Sequence, residues 1–246
     1  MLYNERQNEI INILKRKKNI KVGALAKALY VSEATVRRDL AEMQKLGLIE
    51  RNHGGAILLE VSDEISMFVR MNENAKEKET VAAKAIPHIP EFKSVFVDSS
   101  STALALAQRL DLTFKTVVTN NLQSALLLSR IENINLVIPG GNIAPASVSI
   151  TGSRTSRQLE SFHFDLMLAS CAAVKNTGAY EKSLEQSEIK SVAFENSDKR
   201  ILLADSTKFD KSGAYLFKKL SEFDLIVTDR LTDDQKSRLD GMPIIC

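Results

Sequence analysis

Arg37 and Arg38 stand side by side just after Ala34-Thr35, in a chain of 246 residues. That set suits the reading of DNA. Arginine can pair bidentately with guanine, threonine can meet a base edge or the thymine methyl, and alanine is slim enough to enter a groove. Further along, four polar stretches repeat one kind of chemistry: Asp98-Ser99-Ser100-Ser101-Thr102, Thr119-Asn120-Asn121, Pro139-Gly140-Gly141-Asn142 and Asp205-Ser206-Thr207-Lys208. Hydroxyls, amides, close-approaching glycine backbone and one cation are the groups that hold an anion such as phosphate. Acid–base catalysis finds less support. Asp98, Asp205, Glu181 and Glu185 are available carboxylates, but none sits in a motif that fixes a partner. The three histidines, His53, His88 and His163, have no metal-ligand spacing with any Cys or Asp, so no metal and no cofactor is expected. Cys171 and Cys246 are too far apart in sequence to suggest a disulfide framework or redox pair, which favours a reducing compartment.

The elements that must position the arginines come first in the chain. Residues 4 to 17 predict a helix with Ile10, Ile11, Ile13 and Leu14 as its apolar stripe and Asn4 as its cap. The run Lys15 to Lys18 falls where that helix ends, a favourable place for cations. A short helix over Val22 to Leu29 follows, then a tight turn at Tyr30-Val31. Ser32 caps a third helix that runs to about Leu46, where Gly47 stops it. On it Val36, Leu40 and Met43 form the buried stripe, so Ala34, Arg37, Arg38 and Lys45 point outward with Thr35 at the flank. The exposed arginines have a plainer role open to them as partners of Asp39 and Glu42. Residues 48 to 57 predict two short strands around Gly54-Gly55, a wing that brings Arg51 and His53 to the sugar-phosphate backbone. Helix, tight turn, helix and wing make a winged helix-turn-helix. Its charge agrees: residues 1–60 hold 11 Lys+Arg against 7 Asp+Glu, and the remainder holds 22 against 24.

The rest of the chain alternates apolar strands with helices, which predicts an α/β domain with a mostly parallel sheet. Strands are expected at 94–97, 116–119, 134–138, 165–169, 200–204 and 224–227, with helices at 74–86, 101–110 and 122–131. In such sheets ligands bind at the carboxyl ends of the strands. The four polar stretches all fall there, and together they predict a pocket for a small phosphorylated molecule. The domain limits are drawn at 1–59 for the head, 60–74 for a linker docking onto the body, and 75–246 for the sensing domain. No apolar run approaches the ~20 residues that span a bilayer, and the polar start lacks the apolar stretch of a signal peptide. A cytoplasmic protein is expected, without a membrane partner.

Val31-Ser32-Glu33-Ala34-Thr35-Val36-Arg37-Arg38-Asp39-Leu40, with Arg51-Asn52-His53-Gly54-Gly55-Ala56 behind it, resembles the hallmark of the DeoR family of bacterial regulators. The resemblance continues through Phe68-Val69-Arg70, Glu77-Lys78, Asp98 to Thr102, Thr119-Asn120, Gly140-Gly141, Gly152, the Ala204 to Phe209 stretch and Val227-Thr228-Asp229. It implies a regulator of carbohydrate genes, a repressor, whose C-terminal domain is similar to sugar-phosphate isomerases and binds a phosphorylated sugar. By the same resemblance Ser32, Ala34, Thr35, Arg37, Arg38, Arg51 and His53 contact an operator. Asp98, Ser99, Ser100, Ser101, Thr102, Thr119, Asn120, Gly140, Gly141 and Lys208 would face the effector, the serine-threonine loop holding its phosphate with help from Lys208. Two departures stand out: Ser100 replaces a glycine of the family's loop, and Ala169-Ser170-Cys171-Ala172-Ala173 replaces a glycine-rich stretch. Each added Cβ narrows the approach of a ligand to backbone N–H groups. A homodimer or homotetramer is expected, because paired heads read paired half-sites. The competing expectations are an isomerase carrying a DNA module, and an architectural DNA binder with no effector.

Overall fold

The computed structural model describes residues 3–17, 19–45, 49–52, 54–58, 67–175 and 178–246. The chain divides into two units, Met1–Glu73 and Asn74–Cys246. In the first, α1 (Tyr3–Lys17), β1 (Asn19–Lys21), α2 (Val22–Leu29), α3 (Glu33–Lys45), β2 (Ile49–Asn52), β3 (Gly55–Leu58) and α4 (Met67–Asn72) follow in order. Ile10, Ile11 and Leu14 of α1 meet Leu25, Ala26 and Leu29 of α2 and Val36, Leu40 and Met43 of α3 in one core. These are the stripes that helical spacing selects. The helix α1 starts at Tyr3, ahead of Asn4, so Asn4 lies inside it and is not its cap.

The wing holds a strand that its sequence did not announce. β1 pairs antiparallel with β3, and β3 with β2, so the sheet order is β1-β3-β2. Only Ile20 of β1 is buried, too little apolar pattern to mark a strand in advance. The two glycines of the wing serve different needs. Gly54 takes φ 101, and its carbonyl accepts Val22 N at 2.9 Å. At Gly55 a Cβ would lie 2.4 Å from the Ile20 carbonyl oxygen, so β1 and β3 can approach only over a glycine. Within the stretch expected to be a linker that docks onto the body, residues 67–72 are helical, and Val69 joins the N-terminal core instead. An apolar side chain on a short helix goes to whichever core can cover it. Gly47, Leu48 and His53 lie outside the described residues.

The second unit runs α5 (Ala75–Ala85), β4 (Ser94–Val97), α6 (Ser101–Ala107), β5 (Thr116–Thr119), α7 (Leu122–Leu128), β6 (Asn135–Val137), β7 (Asn142–Ala144), β8 (Ser149–Thr151), α8 (Ser153–Leu159) and β9 (Phe164–Ala169). It continues with β10 (Ala173–Lys175), β11 (Gly178–Glu181), α9 (Leu184–Glu195), β12 (Ser197–Leu203), β13 (Tyr215–Lys219), β14 (Leu225–Val227), α10 (Asp233–Arg238) and β15 (Ile244–Ile245). Seven strands form one parallel sheet in the order β15-β14-β12-β9-β4-β5-β6. Its middle strands are unbroken apolar runs: Val95 to Val97, Leu166 to Ala169 and Ile201 to Leu203 are all fully buried. That is the composition of strands covered on both faces. α6 and α7 end three residues earlier than their apolar spacing suggested. The β7-β8 hairpin and the antiparallel sheet β10-β11-β13 were not anticipated. Their strands are three to five residues long and mix polar or charged with apolar residues, so no period shows.

Candidate functional site

Ser32 stands at the entrance to α3, and its Oγ accepts Thr35 N at 3.1 Å and lies 2.8 Å from Thr35 Oγ1. This side-chain cap satisfies an amide that the first turn would leave unpaired. The capped turn fixes which way the helix presents its sides. Val36, Leu40 and Met43 are wholly buried, whereas Ala34, Arg37 and Arg38 are exposed and Thr35 is half-buried. Asp39 is not a partner of either arginine. It is fully buried and takes both oxygens' hydrogen bonds from Arg6 of α1, one at 2.9 Å. Arg37 instead pairs with Glu33, one turn back, at 2.8 Å on the surface. Arg38 has no ion pair among the described residues. Arg51 is exposed on β2, next to the Gly54-Gly55 turn. One face therefore carries small side chains, a hydroxyl and arginines, with a second arginine-bearing element beside it.

In the body, the loops after β12, β9, β4 and β5 lie side by side, because those strands are neighbours in the sheet. The most connected group is Asp98, fully buried. Its Oδ1 accepts Ser100 N and its Oδ2 accepts Ser170 N, each at 2.9 Å. Lys190 of α9 reaches the same Oδ2 at 2.7 Å, Glu181 Oε1 at 2.6 Å and the Ser170 carbonyl at 2.7 Å. An ammonium has three N–H donors, and all three are thus used. Burial disfavours the Lys190 cation, but Asp98 and Glu181 outweigh that and hold its pKa above the ordinary lysine value.

Much of the serine-threonine loop is already engaged. Ser99 Oγ donates to Gln186 Oε1 at 2.9 Å, and Ser100 Oγ caps α6 by accepting Ala103 N at 3.1 Å. Ser101 and Thr102 are buried in the first turn of α6. Thr119 Oγ1 accepts Asn121 N at 3.3 Å, and Asn120 Nδ2 donates to the Ile150 carbonyl at 3.1 Å. Gly140 lies farther out, after β6, where its N–H donates to Gln158 Oε1 at 3.0 Å. Gly141 is there for packing: a Cβ would come within 2.0 Å of Thr155 Oγ1.

Three buried polar atoms at these strand ends have no partner among the described residues: Asn120 Oδ1, Ser170 Oγ and Asp205 Oδ2. Such atoms are rare and costly in a folded protein. Lys208, in the 3-10 turn Ser206–Asp210, is partly buried, and its ammonium makes no ion pair or hydrogen bond among the described residues. Burial pushes its pKa down, with the Asp205 charge opposing. Two acceptors, a hydroxyl and an unpaired cation suit a ligand with hydroxyl donors and an anionic group. The Cys171 thiol lies within the field of Lys208, Glu181, Lys190 and Asp205, and burial pushes it up to about 12.

Lys190, Gln186 and the role of Glu181 escaped the sequence reading. The available signal was a lysine and a glutamine on the apolar side of α9, where Gln186, Ile189, Lys190, Ala193 and Phe194 are all buried. Among the described residues, no group of three or more His, Cys, Asp or Glu is placed to hold a metal ion. No helix among them is long and apolar enough to cross a membrane.

Residues 6–61 match the DeoR-like helix-turn-helix domain, and residues 73–230 match the DeoR C terminal sensor domain. The chain is 32% identical over 228 residues to the HTH-type transcriptional regulator GolR of Listeria innocua, covering 92% of this chain and 90% of the relative. It is 30% identical over 243 residues to the lactose phosphotransferase system repressor of Streptococcus mutans, covering 96% and 95%. Ribose 5-phosphate isomerase A of Methanocaldococcus jannaschii superposes on 56% of this chain and 55% of its own. Identity is 15% and the TM-score 0.40, too slight a likeness to bear on function. The two family matches together span head and body, and the protein belongs to the DeoR family of transcriptional regulators.

Proposed function

We propose that this protein is a sequence-specific DNA-binding repressor of carbohydrate-metabolism genes, released from its operator by a phosphorylated sugar bound in the C-terminal domain. The observation that carries the DNA half is the exposed face of the first two turns of α3, which carries Ala34, Arg37 and Arg38 with Thr35 at its edge and starts at the Ser32 cap. Ser32 itself, Arg51 and His53 supply contacts to the phosphate backbone, His53 lying outside the described residues. The named function of the Streptococcus mutans relative, a lactose phosphotransferase system repressor, supports the carbohydrate setting.

The sensing half rests on Lys208 and the unpartnered Asn120 Oδ1, Ser170 Oγ and Asp205 Oδ2 at adjacent strand ends. Around them, Asp98, Ser99, Ser100, Ser101, Thr102 and Thr119 form the floor, and Gly140 and Gly141 the outer edge. An isomerase is not favoured by this geometry. Asp98 and Glu181, two of its candidate bases, both spend an oxygen on Lys190. Two or four copies would place paired heads on paired half-sites in the cytoplasm. The sugar phosphate favours an arrangement that no longer fits the spacing, which requires that it bind the two arrangements unequally.

Fluorescence anisotropy on DNA from upstream of the protein's own operon tests both halves, at fixed salt and with a panel of sugar phosphates. Sequence-dependent binding released by one compound is expected. Specific binding that no compound alters would remove the sensor and leave the regulator. Absence of specific binding, with turnover of a sugar phosphate, would establish the enzyme instead.

A further inference from the structure

Tyr30 closes α2 in the left-handed conformation, φ 55 and ψ 41, and its own N–H serves the last carbonyls of that helix. Glycine or asparagine holds such a position without strain, whereas a bulky side chain there is uncommon. Strain is tolerated in folded proteins where the side chain has a use. Within the fold Tyr30 has none, for it is 95% exposed and belongs to no cluster of the core. It lines a groove with Gly23, Ala24, Lys27, Ser32 and Glu33, which runs from the start of α2 to the start of α3. Lys27 lies one turn before Tyr30, is exposed, and pairs with no carboxylate among the described residues. The groove is floored by small residues, carries Lys27 and the carboxylate of Glu33, which Arg37 neutralises at 2.8 Å, and ends at the capped first turn of α3.

We infer that Tyr30 and Lys27 form a DNA-backbone clamp, the tyrosine hydroxyl and the lysine ammonium holding one phosphate beside the recognition helix. The wing lies on β2 and β3 and Tyr30 lies in the turn before α3, so the two would grip the duplex on either side of that helix. The inference rests on the DNA-binding reading given above. A phosphate contact positions the protein without reading sequence, so the clamp contributes equally to any duplex.

The test compares the full-length protein with Tyr30→Gly, Tyr30→Phe and Lys27→Ala, using the upstream DNA and a shuffled duplex of equal composition. Tyr30→Gly relieves the backbone, so it is expected to melt a few degrees higher while binding both duplexes about tenfold more weakly. Tyr30→Phe keeps the ring and is expected to lose the same affinity. Lys27→Ala is expected to lower the slope of log affinity against log salt by about one. Unchanged affinity in either tyrosine variant would overturn the clamp, as would an unchanged salt slope in Lys27→Ala. A lower melting temperature for Tyr30→Gly would also overturn it, because the tyrosine would then serve the fold. A loss confined to the upstream DNA would make Tyr30 a base reader and likewise end the backbone assignment. Failure of the wild type to bind any duplex is a separate outcome, visible before any variant is made, and removes the DNA-binding reading and the clamp together.

Discussion

Lys190 of α9 donates to Asp98 Oδ2 at 2.7 Å, joining the helix to the carboxyl end of the central strand β4. Glu181 completes the group at 2.6 Å, and none of the three side chains meets solvent appreciably. Breaking a buried pair from one side leaves an uncompensated charge and costs about 3–5 kcal/mol. Lys190→Met is expected to destabilise the body by that order in urea titration. A loss well below 1 kcal/mol would show that Asp98 and Glu181 find other compensation. Because the Lys190 pKa is raised, its contribution is fully present below the ordinary lysine value and lost only as pH rises beyond it. Stability from this source is therefore flat between about pH 6 and pH 9.

Lys208 is expected to behave in the opposite way. Burial lowers its pKa, so holding it charged costs the fold something. Lys208→Met should leave the melting temperature unchanged or slightly raised, and should abolish release of DNA by the effector. A marked drop in melting temperature would assign Lys208 to the fold instead.

Cys171 is buried with its thiol pushed up to about 12, while Cys246 is exposed. The thiolate is the reactive form, so Cys171 is inert near neutral pH. A thiol reagent at pH 8 should label one cysteine per native chain and two after denaturation. Labelling of Cys171 in the native protein would reveal opening of the strand-end pocket.

Asp165 Oδ2 accepts the N–H groups of Lys93 and Ser94 at 2.6 and 2.8 Å, which hold its pKa below the usual carboxylate range. A depressed carboxylate pKa adds stability that is present above the unfolded value and disappears as pH falls through the folded one. Asp165→Asn should therefore be less stable than the wild type at pH 7, with the gap closing below about pH 3.9. A gap that persists at pH 2 would point to geometry rather than charge.

Arg37 and Arg38 are separable by their surroundings. Arg37 is bound to Glu33, whereas Arg38 has no ion pair among the described residues. If Arg37 reads a base, Arg37→Ala should cost roughly 1–3 kcal/mol on the operator and little on shuffled DNA. A uniform loss would make it a phosphate contact. Glu33→Ala should tighten binding modestly by removing both a competing anion and a like charge facing the DNA.

The head was legible in the sequence because its information is local. A serine cap and a 3.6-residue apolar period act over a few residues, whereas Gly55 is needed for its approach to Ile20 of β1, a strand with too little pattern to be read in advance. The central strands were legible for a similar reason, since burial on both faces leaves continuous runs such as Val95 to Val97. What tertiary structure alone decided is how charges pair. The sequence offered Asp39 to its neighbours Arg37 and Arg38, but the buried carboxylate takes the distant Arg6. It offered the serines at 99 and 100 to a ligand, but Gln186 and the first turn of α6 claim their hydroxyls. It did not show that Lys190 would spend all three donors on Asp98, Glu181 and Ser170, which leaves Lys208 as a cation at the strand ends without an ion pair or side-chain hydrogen bond among the described residues. Apolar periodicity records which side of an element is buried. A hydrogen bond between side chains depends on a few ångströms of separation and on direction, and only the packed sheet and helices set those.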